Sequence, residues 1–317
     1  SSDVCSSDLT QPNQRATRVE LYDGLTAASV NCWPSVNFDL GAVNNLLKRL
    51  LPAGFYYKTF MWPPGFWMRY EYFIRRAAGL GKAPAAPDPD RYDKMHCHAD
   101  VLVVGGGPSG LAAALAAGRT GARVILADGQ NEFGGALLDG GAEIDGGPAL
   151  DWVAAAVAEL EAMAEVRLLP RATVAGYYDH NYLTIVERVT DHLGAAAPAN
   201  LPRQRLWKVR AGQVVLATGS VERPLVFADN DRPGIMLASA AATYVNRYAA
   251  KPGSRAVVFT NNDSAYRVAL DLAEAGIEVA AVVDPRPEPE GPLPARTRAR
   301  GIEILGGQAV VAAHGGR

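Results

Sequence analysis

The sequence predicts an α/β fold built on two consecutive βαβ units. Two stretches carry that expectation. In residues 99–129 an apolar run, "ADVLVVGGG", passes through a glycine turn into the alanine-rich "GPSGLAAALAAGRTG" and then a second apolar run, "ARVILADG". In residues 254–285, "SRAVVFTNNDSAYRVALDLAEAGIEVAAVVDP", the same order recurs. About 30 residues is the length that two parallel strands and their crossover helix need. With 49% hydrophobic and 20% charged residues, the composition is that of an ordinary globular chain, and 317 residues allow about two domains.

The first nine residues, "SSDVCSSDL", carry no basic n-region and no apolar h-region, so they do not read as a signal peptide. They resemble the in-frame translation of a common sequencing adapter. The expectation is that residues 1–9 do not belong to the gene and that the gene begins further upstream. Residues 10–97 read as an N-terminal wrapping segment and linker. Within them, Phe55–Gly79 holds ten aromatic residues in 25, against 8% overall. Pro63 and Pro64 stop any helix there, and "FWMRYEYFIRRAAGLG" after them predicts a helix ending at Gly79 or Gly81. This block reads first as a segment packing its rings over a domain. It reads second as a subunit interface, where aromatic residues and arginine are enriched. A membrane-surface helix is the third reading, which Glu71 and the prolines oppose. Gly81–Asp100 reads as a Pro/Ala/Asp linker. His96, Cys97 and His98 do not suggest a metal set, because alternate strand residues point to opposite faces.

Residues 98–225 read as a first dinucleotide-binding domain and 226–317 as a second, degenerate and truncated one. After the first βαβ unit, "PALDWVAAAVAELEAMAEV" has helical period. "VRLLPRATVAGYYD", "YLTIVERV" and "LWKVRAGQVVLATGS" predict a small antiparallel layer, with a loop at Gly194–Gln204. Glu288–Pro294 reads as a proline-rich loop, and "GIEILGGQAVVAA" as further strand. Cys5, Cys32 and Cys97 include no CxxC pair, which argues against a disulfide framework and a dithiol centre. A net charge of −2 suggests no nucleic-acid partner. No apolar run approaches the roughly 20 residues that cross a bilayer, so the expectation is a soluble, cytoplasmic protein.

The chemistry lies in "GGGPSG". Gly105 permits the tight turn, Gly107 lets backbone approach a phosphate, and Gly110 lets the helix pack on the strand. The helix N-terminus offers N–H groups to a pyrophosphate. Asp128, 18 residues beyond Gly110, stands where a carboxylate takes ribose hydroxyls. Gly129 and Gln130 follow it with no cation, so a 2′-hydroxyl nucleotide, FAD or NAD, fits better than NADP. In the second unit the glycine positions read Thr260, Asn262 and Ala265. The cofactor site there is expected to be lost, with Asp284 remaining as the ribose-type acid.

The spacing of fingerprint, acid, Gly134-Gly135 and Ala217-Thr218-Gly219 resembles the two-dinucleotide-binding-domain flavoprotein oxidoreductases, from Asp100 to the end, and implies a Rossmann-like fold. A narrower resemblance runs from Thr10 through the dinucleotide unit. "RATRVELYDGL", "WPSVNFDLGAVNNLL", "PAGFYYKTFMWP" and "IRRAAGLGKAP" with "DPDRYDK" look like the α subunit of heterotetrameric sarcosine oxidase. Related α subunits of amino-acid dehydrogenase and cyanide-forming complexes share the general plan and remain near alternatives.

That resemblance implies a complex oxidising sarcosine, with oxygen as acceptor, to glycine and a one-carbon unit. It implies FAD in the β subunit, FMN at the α–β interface, and NAD in this chain where other relatives hold FAD, which stays the alternative. A folate-binding region would follow nearer the C-terminus. The chain would be an internal fragment that does not turn over sarcosine alone. Its partners would be the β subunit and smaller subunits, with Phe55–Phe73 as the candidate contact. Residue by residue, Gly105, Gly107, Ser109 and Gly110 would hold the pyrophosphate, and Asp128 the ribose beside Gly129 and Gln130. Gly135 and Ala136 would lie along the cofactor, Val174 would offer backbone to adenine, and Thr218 and Gly219 would close the site. Family members often carry more charge directly after the ribose acid. No general base or nucleophile stands out; His180 and Lys58 are the best polar candidates. A free-standing FAD-dependent NAD(P)H oxidoreductase and a non-catalytic scaffold are the other readings.

Overall fold

The computed structural model describes residues 19–30, 32–35, 38–43, 54–55, 59–80 and 87–315, with the backbone alone of 2–5, 10–14 and 44–47. Packing divides the chain into two compact units: 1–98 with 171–210, and 99–170 with 211–317.

In the first unit, strands β1 (Ser2–Cys5), β2 (Thr10–Gln14) and β3 (Thr26–Ser29) form an antiparallel sheet in the order β2-β1-β3. Beyond Pro63 and Pro64 comes helix α1 (Trp67–Ala77), followed by Gly79 at φ +69°. A left-handed glycine is the usual stop for a helix. No residue of α1 is buried.

Strand β4 runs unbroken over Tyr92–Val104, beginning in the first unit and ending in the second. Residues 92–100 are therefore strand and not linker. Their alternation is written in polar residues, with Lys94, His96 and His98 exposed and Ala99 buried, which hides a period-2 signal that rests on apolar contrast.

Helix α2 (Pro108–Gly118) and strand β5 (Val124–Ala127) complete the first βαβ, with β4 and β5 parallel from Val101↔Val124 to Val104↔Ala127. A 3-10 turn (Gly135–Asp139) and the short β6 (Glu143–Ile144) and β7 (Gly147–Pro148) lead to α3 (Ala149–Glu161) and to β8 (Val166–Leu169), parallel to β5. The antiparallel layer is β9 (Ala172–Tyr178), β10 (Tyr182–Arg188) and the first half of β11 (Gln204–Leu216). Arg203, almost buried, pins the start of β11 through Asp90 (2.5 Å) and Asp191 (2.6 Å). The end of β11 lies in the second unit beside β4, where the Ala217 N–H donates to the Val104 carbonyl (2.8 Å).

Helix α4 (Ala238–Asn246) precedes the second βαβ, made of β12 (Arg255–Phe259), α5 (Ser264–Glu274) and β13 (Glu278–Asp284). Helix α6 (Pro292–Ala299) and β14 (Ile304–Gly306) follow, and β12, β13 and β14 are parallel. The expected proline-rich loop thus ends within a helix. Gly291 (φ +121°) turns the chain, and Pro292 occupies the first helical turn, whose missing N–H costs nothing. The strand expected over 301–313 stops at Gly306, with only an Ala228–Ala312 bridge beyond.

Each βαβ has its own apolar core. Leu111, Ala114 and Leu115 of α2 pack on Val103, Val124 and Leu126, with Val153 and Leu160 of α3 against them. Tyr266, Ala269 and Leu272 of α5 pack on Val258 and Val282, with Ile302 beyond. Each fully buried leucine or valine contributes about 1.5–3 kcal/mol, and small alanines on α2 let the helix sit close to the sheet.

Candidate functional site: the glycine cradle

The strand-to-helix turn after β4 is glycine by necessity. Gly105 stands at φ +103°, and a Cβ there would run into the Ala217 carbonyl oxygen. A Cβ on Gly110 would run into the Gly105 carbonyl oxygen. Gly107 differs. It caps α2 in extended conformation (φ −74°, ψ −173°), and a Cβ on it would meet only the Gly135 Cα, at 3.9 Å. Gly135, at φ +55°, could not carry one without coming 2.9 Å from the Gly107 Cα. Two bare backbones therefore face each other at the N-terminus of α2. First-turn N–H groups without intrahelical partners, no side chain in the way and the positive helix end favour an anion there.

Asp128 completes the cradle at the end of β5. Its Oδ2 accepts from the Gly106 N–H (2.5 Å) and its Oδ1 from the Gln130 N–H (2.7 Å). Both bonds orient the carboxylate, and each oxygen keeps a lone pair for a hydroxyl donor. Gly106, which the sequence reading did not single out, is the crossing point. Its carbonyl accepts from the Gly134 N–H (2.8 Å), and the Phe133 ring covers the face where a Cβ would stand. The triple glycine was the available signal for Gly106; nothing near Phe133 marked it.

The structure brings together Gly105, Gly107, Gly110, Asp128 and Gly135, with Ala217 and Thr218 closing the turn. Ser109, Gly129, Gln130, Ala136, Thr218 and Gly219 are exposed, and Gly219 has φ +69°. Val174 lies on β9 in the other compact unit. His180 is exposed in the β9–β10 turn at φ +58°, its carbonyl accepting from Arg210 (3.3 Å). Lys58 lies outside the described residues. Among the described residues no cluster of three or more His, Cys, Asp or Glu is placed to hold a metal ion, and no helix is long and apolar enough to cross a membrane.

The second βαβ is organised differently. Buried Thr260 donates through its hydroxyl to the Asn262 carbonyl (2.9 Å), and Asn262 Oδ1 accepts from the Ser264 N–H (3.0 Å) and hydroxyl (2.6 Å). The expectation that Asp284 remains a ribose-type acid is corrected. Asp284 is fully buried and accepts from the Tyr266 hydroxyl (2.8 Å) and from Arg286 Nη2 (2.7 Å). Arg286 reaches on to Asp263 (2.9 Å), the N-cap residue of α5. One guanidinium thus joins the strand end to the helix start, where the first βαβ has only bare glycine backbone. Burial pushes the Asp284 carboxyl up, but the bonds from Arg286 and Tyr266 outweigh it and hold it below its ordinary value. Burial and the bond to Asp284 push the Tyr266 phenol up to about 12.

A parallel βαβ opening with a glycine cradle and closing on an oriented acid is the architecture of dinucleotide-binding oxidoreductases. Residues 100–200 match the profile of the family described as FAD dependent oxidoreductase. The fold is similar to L-proline dehydrogenase from P. horikoshii (TM-score 0.50, 24% identity, covering 63% of this chain and 38% of that one).

The particular relatives are narrower. The chain is 51% identical over 278 residues to sarcosine oxidase subunit alpha of Rhizobium meliloti (strain 1021), covering 87% of this chain and 28% of that one. It is 50% identical over 234 residues to sarcosine oxidase subunit alpha of Corynebacterium sp. (strain P-1), covering 74% of this chain and 24% of that one. The chain spans about a quarter of the length of these relatives.

Proposed function

We propose that this chain is part of the α subunit of a sarcosine-oxidising oxidoreductase and that its first βαβ unit holds an adenine dinucleotide. The observation that carries the second statement is the cradle: bare Gly107 and Gly135 backbones at a helix N-terminus, beside a carboxylate oriented at a strand end. Gly105, Gly107, Ser109 and Gly110 take the pyrophosphate, and Asp128 takes a ribose, with Gly129 and Gln130 beside it. Gly135 and Ala136 line the cofactor, and Thr218 and Gly219 close the site. The acid without an adjacent cation supports a 2′-hydroxyl over a 2′-phosphate, because a second anion there is repelled.

The nucleotide we propose is NAD, on the resemblance to sarcosine oxidase α subunits. FAD is the second reading, favoured by the family profile over residues 100–200. A bound dinucleotide of either kind would be a redox cofactor; the chain's own contribution is to bind, orient and neutralise its phosphates. Substrate oxidation belongs in this reading to FAD in the β subunit, with FMN at the interface between subunits and oxygen as acceptor. The chain spans residues 98–225 as the dinucleotide-binding domain and 226–317 as a second unit without a nucleotide.

Denaturing the purified complex and identifying the released nucleotides by mass tests the assignment. NAD in equal amount to the α subunit is the expected result. FAD in excess of one per β subunit, with no NAD, assigns the cradle to FAD. Replacing Asp128 by Asn should lower dinucleotide retention about tenfold, since a charged acceptor is worth about 1.5–3 kcal/mol to a bond and a neutral one about 1 kcal/mol.

A further inference from the structure

The second βαβ uses its own acids internally, yet helices α4 and α5 reach back to the cradle of the first βαβ, within the same compact unit. Glu222, three residues after Gly219, accepts from the Ala238 N–H (3.1 Å) and the Ser239 N–H (2.8 Å), fixing the N-terminus of α4 next to the Thr218-Gly219 turn. One turn on, the Thr243 hydroxyl sits 2.9 Å from Asp139 Oδ1 and 2.9 Å from the Ser239 carbonyl. Just past the last turn, Arg247 donates to Glu132 Oε2 (2.8 Å) and Asn131 Oδ1 (3.3 Å). From α5, Arg267 donates to the Gly141 carbonyl (2.7 Å), and its guanidinium lies where a Cβ on Gly141 would stand.

These partners have one thing in common. Asn131, Glu132, Asp139 and Gly141 bracket Gly134 and Gly135, the segment whose bare backbone faces Gly107. Gly134 and Gly135 stand at φ +129° and +55°, a conformation cheap for glycine but also one that leaves the loop entropy to lose. The contacts from α4 and α5 remove that freedom before any ligand arrives. Arg247 is well packed, its side chain 15% exposed, and so spends little further entropy in holding Glu132.

We propose that α4 and α5 form a brace that holds the 131–141 loop over the cradle, so that Thr243, Arg247 and Arg267 are positioning residues setting how slowly the dinucleotide leaves. The inference rests on the reading that the cradle holds an adenine dinucleotide. It gives α4 and the second βαβ on which it packs a role of their own, as the rigid support for the neighbouring cradle. Preorganising a binding loop raises affinity by cutting the ordering cost, and this acts chiefly on the release rate.

The test compares the assembled complex carrying Thr243→Val with Arg247→Ala against wild type. Release of the bound adenine nucleotide is followed during dilution into nucleotide-free buffer, by mass at timed intervals. Losing the three bonds to Asp139, Glu132 and Asn131 should speed release about tenfold or more. Arg247→Lys should restore part of the retention. Arg255→Ala, which breaks an exposed pair between Arg255 on β12 and Glu278 on β13, should leave it unchanged. Hydrogen exchange gives a second readout: amides of 131–141 should exchange faster in the variant while those of β4 and β5 do not. If the double variant does not assemble, near-isosteric Thr243→Val alone carries the comparison. Equal release from wild type and variant overturns the brace and leaves the cradle intact. A wild-type complex with no adenine dinucleotide in the α subunit overturns the reading beneath it, and the brace with it.

Discussion

A methyl group on Gly110 would occupy the place of the Gly105 carbonyl oxygen, which is backbone and cannot swing aside. Gly110→Ala should therefore force α2 away from β4 and lower stability by roughly 1–3 kcal/mol, read from denaturant midpoints. Ser109→Ala, one residue earlier and exposed, should leave stability within about 0.5 kcal/mol while reducing nucleotide retention through the lost hydroxyl. At this scale much of the candidate site was legible in the sequence. Gly105 and Gly110 must be glycine because of the strand-to-helix turn itself, and the first and last positions of G-x-G-x-x-G state that; Gly107 stays bare for what faces it. Gly106 and Phe133 were not legible. Their roles depend on a loop 27 residues further on folding back across the turn, and no spacing rule encodes that.

At the scale of elements, α5 and β13 show the same topology as α2 and β5 with a different outcome. Position 128 is a half-buried acid bonded to two backbone N–H groups, whereas Asp284 is buried under Tyr266 and Arg286. A carboxyl held below its ordinary value stabilises the fold at pH above about 4 and loses that contribution as pH falls through its native value. Arg286→Gln removes most of what holds Asp284 down, so acid unfolding of the second βαβ should begin at higher pH. Tryptophan lies mostly elsewhere in the chain, so the loss is best followed by hydrogen exchange of β12 and β13 amides across pH 3–6. An unchanged onset would show that Arg286 is a bystander. Both βαβ units were legible because their strands are continuous apolar runs. Helix α4 was not: "ASAAATYVN" has weak periodicity, and its start is set by Glu222, 16 residues upstream.

At the scale of the whole molecule, helix α1 carries Trp67, Met68 and Phe73 on a surface that buries none of its residues, and Trp62 before it is also exposed. Aromatic residues flanked by Arg69, Arg75 and Arg76 match the composition of interface anchors. The resemblance to sarcosine oxidase α subunits makes this segment the candidate contact for a β subunit, which a pull-down tests. Trp67→Ala with Phe73→Ala should reduce recovery of the β subunit with tagged α subunit at least tenfold, since anchors of this kind cost 2 kcal/mol or more each on truncation. Undiminished recovery would make the segment a free surface. Expression of residues 10–317 alone should show no sarcosine turnover, measured as hydrogen peroxide release.

The sequence by itself determined the α/β class, the two βαβ units and the glycine turn, because hydrophobic period and the tolerance of backbone for a Cβ are properties of neighbours along the chain. Only the tertiary structure decided what surrounds each acid and which contacts the second βαβ makes. Asp128 and Asp284 end equivalent strands with equivalent spelling. Which one is open and which is sealed depends on where Gly106, Tyr266 and Arg286 arrive in space. The brace from Thr243, Arg247 and Arg267 to the 131–141 loop joins residues 104 to 126 positions apart, a separation at which side-chain geometry, and no longer sequence spacing, sets the contact.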